Sequence, residues 1–465
     1  VANERRSVWT LTALAAPCLP LAGLGLPLVV YLPEFYANHL GMDLSVVGLA
    51  FMAVRLVDIG FDPVIGAVID RTHTRWGRFR VWMAVAPLLI MPAAYMLFMP
   101  PAGVGATHLW IWLVVIYAGY SIGGLAQVSW GAVLSTDYNQ RSRIYAFWQS
   151  GNVLGQIFVM TLPVLLAWAG VRGDAQGMAA MGWFIILLLP PTVALAIWRT
   201  PEPRVVTRAA RAGWRDYIQP LKRPAVQRLL AADLLMGTGP GVIAALFFFY
   251  FERVKHFDKV EASSLLLVYF VGALAGGPIW TRLAYKFGKH RALAASGVVY
   301  AATICLGAFT PPGNLLVAAG MMFLIGAPFS AASLLLKAML ADAGDEERLE
   351  TGHDRTALLY ALLGGTMKIG SALAVGVTFV GLELVGFDAT TPGSQAGLIG
   401  LQAIFVGAPV VLSLLASWIL LDYPLTAERH AEIRAKLTER EAALASPERA
   451  RPTPEEIHAA ARPAQ

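Results

Sequence analysis

Residues 55–80 read Arg55-Leu-Val-Asp58-Ile-Gly60-Phe61-Asp62-Pro63-Val-Ile-Gly66-Ala-Val-Ile-Asp70-Arg71-Thr-His-Thr-Arg75-Trp76-Gly77-Arg78-Phe-Arg80, two carboxylates inside an apolar run that ends in a burst of arginines. Asp58 and Asp62 are four apart, so a helix sets them on one face with Cβ atoms about 6 Å apart, and Arg55 lies one turn earlier on nearly the same face. Acids cost free energy at bilayer depth and survive there mainly when they face water or a partner, which makes the pair a functional candidate. A cation relieves their repulsion. The pair can ligate Na⁺, share a proton, or form a structural ion pair with Arg55 or Lys368, and the residues alone leave these readings open.

The chain has 465 residues, 57% hydrophobic and 14% charged, with a mean hydropathy of +0.59. A soluble domain carries about a quarter charged residues, so this composition belongs to a polytopic, all-α membrane protein. Apolar segments long enough to span fall at about Val8–Leu32, Leu44–Asp70, Val81–Met99, His108–Leu134, Ile144–Ala169 and Met178–Trp198. A second set falls at about Ala225–Phe251, Ala262–Lys286, Ala292–Phe309, Leu315–Leu340, Thr356–Val385 and Ala396–Leu421. These predict twelve helices of about 20 or more residues each. The expected organisation is a six-helix half over 1–198, a linker over 199–224, a second half over 225–421 and a polar tail over 422–465. Within the tail, Glu428–Ala445 is patterned as an exposed amphipathic helix, and the Pro- and Ala-rich end reads as disordered.

The net charge of +6 is a topology signal rather than a nucleic-acid footprint, because its arginines fall in short gaps between apolar segments. Arg71–Arg80, Arg141 with Arg143, Lys286–Arg291 and Arg348–Arg355 follow the second, fourth, eighth and tenth segments, while Arg199–Arg228 carries eight bases. Arg172, Arg253, Lys255 and Lys259 are the exceptions on the other side. Both termini are therefore expected inside, in a bacterial-type inner membrane, with no nucleic-acid partner and a monomeric state. The first apolar stretch is too long for a signal-peptide core and reads as the first membrane helix. Cys18 and Cys305 read as small buried residues rather than a disulfide.

Two weak internal echoes suggest duplication. Arg75-Trp-Gly-Arg-Phe-Arg80 ends the second helix and Lys286-Phe-Gly-Lys-His-Arg291 ends the eighth; Asp137 to Arg143 and Asp342 to Arg348 follow the fourth and tenth. No Gly-x-x-x-x-Gly-Lys-Ser/Thr loop is present, which argues against an ATP-driven pump, and the eight histidines lack metal-ligand spacing. A non-enzyme without a cofactor is expected.

Lys368, in Gly364-Gly-Thr-Met-Lys-Ile-Gly-Ser371, is a lone base deep in the eleventh segment and needs an acid or water beside it; the Asp pair is the expected partner. Asp70, Arg71, Arg75, Arg78 and Arg141 read as one side of an inner gate, where arginines meet helix C-termini and acids. On the fourth and fifth helices Tyr120, Gln127, Trp130, Tyr145, Trp148, Gln149 and Asn152 offer aromatic faces and amides to an organic solute, with Arg55 nearby. Ordinary helix packing is the competing reading for each. Asp233 and Phe247–Phe251 are secondary candidates.

The motif Asp58-x-x-x-Asp62-Pro63-x-x-Gly66-x-x-x-Asp70-Arg71 with Arg75-Trp76-Gly77-Arg78 resembles the second helix and following loop of the glycoside-pentoside-hexuronide:cation symporter family, the melibiose-carrier branch of the major facilitator superfamily. Asp342-x-x-Asp345 running to Thr351-Gly352-x-x-Arg355 resembles its loop after the tenth helix, and Lys368 its eleventh-helix lysine. The resemblance implies the major facilitator fold, alternating access, and Na⁺- or H⁺-coupled uptake, with Asp58 and Asp62 as cation ligands and Lys368 beside them. It also places Asp342, Asp345 and Arg355 at the gate.

Sugar-transporting members use an acid on the first helix, another on the fourth and an arginine on the fifth. Here Val8–Leu32 holds no charge, the fourth helix offers Gln127 and Trp130, and Gly151 falls near the arginine's place. Without charged acceptors a less polar glycoside or an amphipathic substrate gains ground over a polyhydroxylated sugar. Phe61 stands where sodium-using carriers have a polar residue, which keeps H⁺ open. The leading expectation is a symporter importing a glycoside or related solute; the alternatives are an importer of an amphipathic, lysolipid-like molecule and a non-transporting sensor or scaffold.

Overall fold

The structure is a computed structural model that describes residues 7–72, 74–134, 138–171, 173–202, 221–351, 356–389 and 394–445. Twelve helices among the described residues are long and apolar enough to cross a membrane. They are α1 (Val8–Val29), α2 (Leu44–Arg71), α3 (Phe79–Phe98), α4 (Ala106–Val133), α5 (Tyr138–Trp168), α6 (Asp174–Arg199), α7 (Pro224–Arg253), α8 (Lys259–Phe287), α9 (Lys289–Ala308), α10 (Leu315–Thr351), α11 (Thr356–Leu384) and α12 (Gln395–Leu421), followed by the polar α13 (Ala427–Ala445). No strand occurs among the described residues. Exposed Leu88, Leu187, Leu316 and Trp418 stud the outward faces, a surface suited to acyl chains and not to water.

Helices α1–α6 pack among themselves, as do α7–α12, and the two sets meet mainly along α2 with α11 and α5 with α8. Glycines set the first contact. A Cβ on Gly48 would sit 2.7 Å from Phe379 Cβ, and one on Gly376 would sit 2.5 Å from Met52 Cβ, so small residues let α2 and α11 approach closely. Gly48→Leu is therefore expected to wedge the sets apart at this end, with the separation read as a longer distance between spin labels on the two sets.

Prolines shape α1. Pro17 supplies no N–H, and the helix breaks between Ala15 and Cys18. After Val29 the chain continues through a short helical turn, Tyr31–Glu34, and a π-helical turn, Phe35–His39, which carry Glu34 into the interior at 1% exposure.

Two expectations change. Cys305 is exposed on α9, so only Cys18 is the buried cysteine foreseen, because the apolar segment around Cys305 turns that face outward. The tail helix α13 is not exposed all round: Ile433 and Leu437 are buried in the apolar cluster that includes Leu340, Leu420 and Tyr423. Residues 203–220 and 446–465, which hold most of the linker and the tail's end, lie outside the described residues.

Candidate cation and solute site

One ammonium bridges the two helix sets at mid-depth. Lys368 Nζ donates to Asp58 Oδ2 at 2.8 Å and also to Asp62 Oδ2. The four-residue spacing on α2 presents both carboxylates to α11, as the sequence suggested. Asp58 is 3% exposed; its Oδ1 accepts from Ser121 Oγ on α4 at 2.6 Å, and Arg55 Nη1 lies 3.5 Å from its Oδ2. Arg55 is fixed from two sides, donating through Nε to Ser371 Oγ at 3.2 Å and lying over the Tyr117 ring at 4.8 Å. Two acids, one lysine and one arginine sum to zero charge, the condition under which buried ions are tolerated.

Asp62 is the looser ligand. Its side chain is 25% exposed, and its Oδ1, sealed from solvent, has no hydrogen-bond partner among the described residues. A Cβ built on Gly60, Gly66, Gly364 or Gly365 would meet no atom within 4 Å, so open space borders both helices near the acids and the lysine. The oxygens of Asp58, Asp62 and Ser121 form a hard donor set of the kind an alkali cation takes, and either carboxylate can bind a proton.

The solute candidates divide. Gln127 is 2% exposed and donates to Leu14 O at 2.7 Å and Cys18 Sγ at 3.1 Å, while fully buried Trp130 donates to Pro201 O at 3.2 Å. Both are engaged in packing. Trp148 Nε1 has no partner among the described residues, Gln149 is exposed, and Asn152 Nδ2 turns back to Trp148 O at 2.8 Å. The Tyr120 hydroxyl approaches Gly25 on α1. Asp233 is buried and accepts from Thr366 Oγ1 at 2.5 Å.

Among the gate candidates, Asp342 accepts from Lys289 at 2.8 and 2.5 Å, and Asp345 lies 3.0 Å from His430 Nε2 and 3.6 Å from Arg434 on α13. These partners belong to the α7–α12 set and the tail. Arg71 and Arg75 are exposed, and Arg78 lies with its guanidinium over the Phe79 ring at 4.3 Å. Arg355 and the side chains of Asp70, Arg141 and Tyr145 lie outside the described residues.

Sequence reasoning missed three features. Ser121 and Ser371 are ordinary small polar residues whose role appears only when α4 and α11 meet α2. Glu202, three residues past the end of α6, caps α3 by accepting from the amides of Arg78, Phe79 (2.9 Å) and Arg80 (3.3 Å), where the helix dipole favours a negative charge. The third is an ion-pair network between the sets at the end where α1 and α7 finish. Lys259 at the start of α8 lies 2.6 Å from Glu34 and 3.1 Å from Asp174 at the start of α6. Glu34 Oε1 also accepts from Asn38 at 2.9 Å, Arg253 donates to Asn38 Oδ1 at 3.3 Å and to Ala389 O at 2.7 Å, and Ser45 N donates to Glu383 at 2.8 Å. The signal was available: Arg253 and Lys259 are among the few bases on the side that the positive-inside pattern leaves empty.

Twelve helices in two sets with a charge cluster between them define an all-α membrane protein of the major facilitator fold. A variant of the nucleoside transporter NupG shares that fold with a TM-score of 0.68 at 13% identity, covering 88% of this chain and 99% of the other. A bacterial homologue of the human lysosomal transporter Spinster gives 0.65 at 15% identity, covering 92% and 99%. The chain belongs to the MFS/sugar transport protein family, whose pattern matches residues 13–427, and is a multi-pass membrane protein. It is 25% identical to the lactose permease of Lactobacillus delbrueckii subsp. bulgaricus over 82% of this chain and 64% of the permease. It is 26% identical to the raffinose carrier protein of Pediococcus pentosaceus, over 88% and 68%, and 22% identical to the glucuronide carrier protein homolog of Escherichia coli, over 88% and 91%. The chain thus spans about two thirds of the length of the first two.

Proposed function

We propose that this protein is a symporter that couples entry of Na⁺ or H⁺ to import of a small carbohydrate, a glycoside of modest polarity being the favoured class. The Asp58–Lys368–Asp62 bridge between the two helix sets carries the reading. A charge pair confined to one set would stabilise that set alone; this one joins the two bodies whose relative motion is transport. Its ammonium takes the role a coupling cation would have. When Na⁺ or H⁺ neutralises the carboxylates, Lys368 is released, so ion loading changes the energy of the contact between the sets.

The arginine distribution supports an orientation with both termini inside and the Lys259 network outside. In that frame the outer end is shut by pairs between the sets, while Asp342 and Asp345 are engaged by their own set and the tail helix at the inner end, an inward-facing arrangement. Arg55, Trp148 and Gln149 retain donor capacity toward a solute, and the engaged Gln127 and Trp130 act as supports. A solute site with few charged acceptors suits the glycoside. The relatives named for lactose, raffinose and glucuronide are in keeping with this class, and nothing favours the amphipathic solute.

Counterflow and uptake in proteoliposomes, with a panel of glycosides under imposed Na⁺ or H⁺ gradients, test the proposal. Saturable, gradient-driven accumulation is expected, and Asp58→Asn is expected to lower it about 100-fold. Accumulation undiminished in Asp58→Asn would remove the carboxylate from the coupling site; no flux of any glycoside would overturn the substrate class.

A further inference from the structure

The outer network has a composition that a simple latch does not need. Three carboxylates, Glu34, Asp174 and Glu252, surround one ammonium, Lys259. Glu34 and Asp174 hold it at 2.6 and 3.1 Å. Glu252 belongs to α7, one turn beyond Phe248, whose ring lies 5.3 Å from the same ammonium. Its Oε1 is sealed from solvent and has no hydrogen-bond partner among the described residues. A carboxylate oxygen in that state is costly when ionised and inexpensive when protonated.

The charges around Glu252 sharpen the point. Glu34 faces it from the extension of α1, Asp174 from α6, Lys259 from α8 and Arg253 from its own helix. Arg253 is already committed to Asn38 Oδ1 and Ala389 O. Of the neighbouring groups, Asp258 and Glu261 satisfy each other as the capping box of α8, and Lys255 donates to Ala308 O and Thr310 O. Among the described residues, three acids and two bases leave one negative charge in excess. A cavity of about 200 Å³, lined by Tyr31, Asp174, Asp258, Lys259 and Ser263, adjoins the network. That volume holds several waters, at about 30 Å³ each. Tyr31, 3% exposed, stands on its wall with its hydroxyl beside Ser263.

We infer that the outer gate is a proton-binding site separate from the Asp58–Asp62 pair: Glu252 takes up one proton as Lys259 closes on Glu34 and Asp174, and releases it when the gate opens. Closure removes water from Glu252 and brings Glu34 and Asp174 within range, both of which favour the neutral acid. The sign follows from linkage. The closed state binds the extra proton, so acid outside favours the closed outer gate and alkali favours the open one. The inference goes beyond the symport reading, because this proton governs the gate and does not accompany the solute.

The test uses spin labels on cysteines introduced at exposed Ala175 and Gln395, one on each helix set, in full-length Cys305→Ser protein in vesicles; buried Cys18 remains. In the parent protein the ratio of closed to open outer gate is expected to rise about tenfold or more between pH 8 and pH 5. Glu252→Gln is expected to flatten that dependence and hold the gate closed at pH 8, while Asp62→Asn keeps the slope. A parent ratio that does not change with pH overturns the inference, even if Glu252→Gln fails to fold. So does a slope that survives in Glu252→Gln, or one that disappears in Asp62→Asn, which would assign the titration to the coupling pair. Loss of solute transport with an intact slope would count against the symport reading alone.

Discussion

Replacing Lys368 with alanine is expected to abolish gradient-driven accumulation, by about 100-fold or more, while raising the protein's affinity for the coupling cation. Both effects come from the same geometry. The ammonium contacts both Asp58 and Asp62, and its removal leaves two acids to share Arg55, which sits 3.5 Å from Asp58 alone. Removing one partner of a buried ion pair costs about 3–5 kcal/mol, because the other charge is left uncompensated. The cluster recovers by binding an external cation or a proton more tightly than before, since its tethered competitor is gone. Accumulation fails because the ion-free form, which must reorient to complete the cycle, is now the form with unbalanced charge. Cation-dependent shifts in Tm measure the first effect and proteoliposome uptake the second. The double variant Lys368→Ala with Asp62→Asn restores charge balance and should recover thermal stability without recovering accumulation, a non-additivity diagnostic of direct contact. Near-normal accumulation in Lys368→Ala would show that the ammonium only holds helices together.

The cluster was legible in the sequence for a physical reason. Charged residues deep in apolar helices are rare and costly, so Asp58, Asp62 and Lys368 stood out without any knowledge of what faced them, and their spacing fixed the shared face. The helix count was legible because a bilayer imposes length and apolarity on every span. The partners were harder to read. Ser121 and Ser371 look like many other small polar residues until helix packing places them beside Asp58 and Arg55. The same packing claimed Gln127 and Trp130, whose polar atoms suggested a solute but are satisfied by the carbonyls of Leu14 and Pro201. Composition cannot separate an amide that meets a ligand from one that meets a backbone.

Glu34 shows the opposite failure. It lies two residues beyond the apolar run Val8–Leu32, where a charge is cheap and draws no notice. The continuing helical turns Tyr31–Glu34 and Phe35–His39 carry it inward to 1% exposure, and its importance depends on a lysine 225 positions away. Long-range electrostatic pairing of this kind leaves no local pattern.

That pairing makes Lys259 the residue whose loss should most change the shape of the molecule. Lys259→Ala is expected to shift the population toward an open outer gate by about 100-fold or more. The ammonium bonds to Glu34 and Asp174 exist only while the two helix sets are together at this end, so their energy belongs entirely to the closed state. Glu34 is buried and, among the described residues, would retain only Asn38 as a donor, and stranding such a charge costs about 3–5 kcal/mol in the closed state and little in the open one, where water reaches it. The open form then dominates, and uptake falls because the inward-facing state is seldom reached. Lys289→Ala is the matched control. It removes the same charge from a comparably close contact, with Asp342, but both partners lie in the α7–α12 set and keep their distance when the sets move. The spin-label separation between Ala175 and Gln395 should therefore lengthen in Lys259→Ala and stay unchanged in Lys289→Ala. Equal behaviour of the two variants would mean that the outer end is held by apolar packing, with Phe248 and its neighbours as the gate and the ion pairs as passengers.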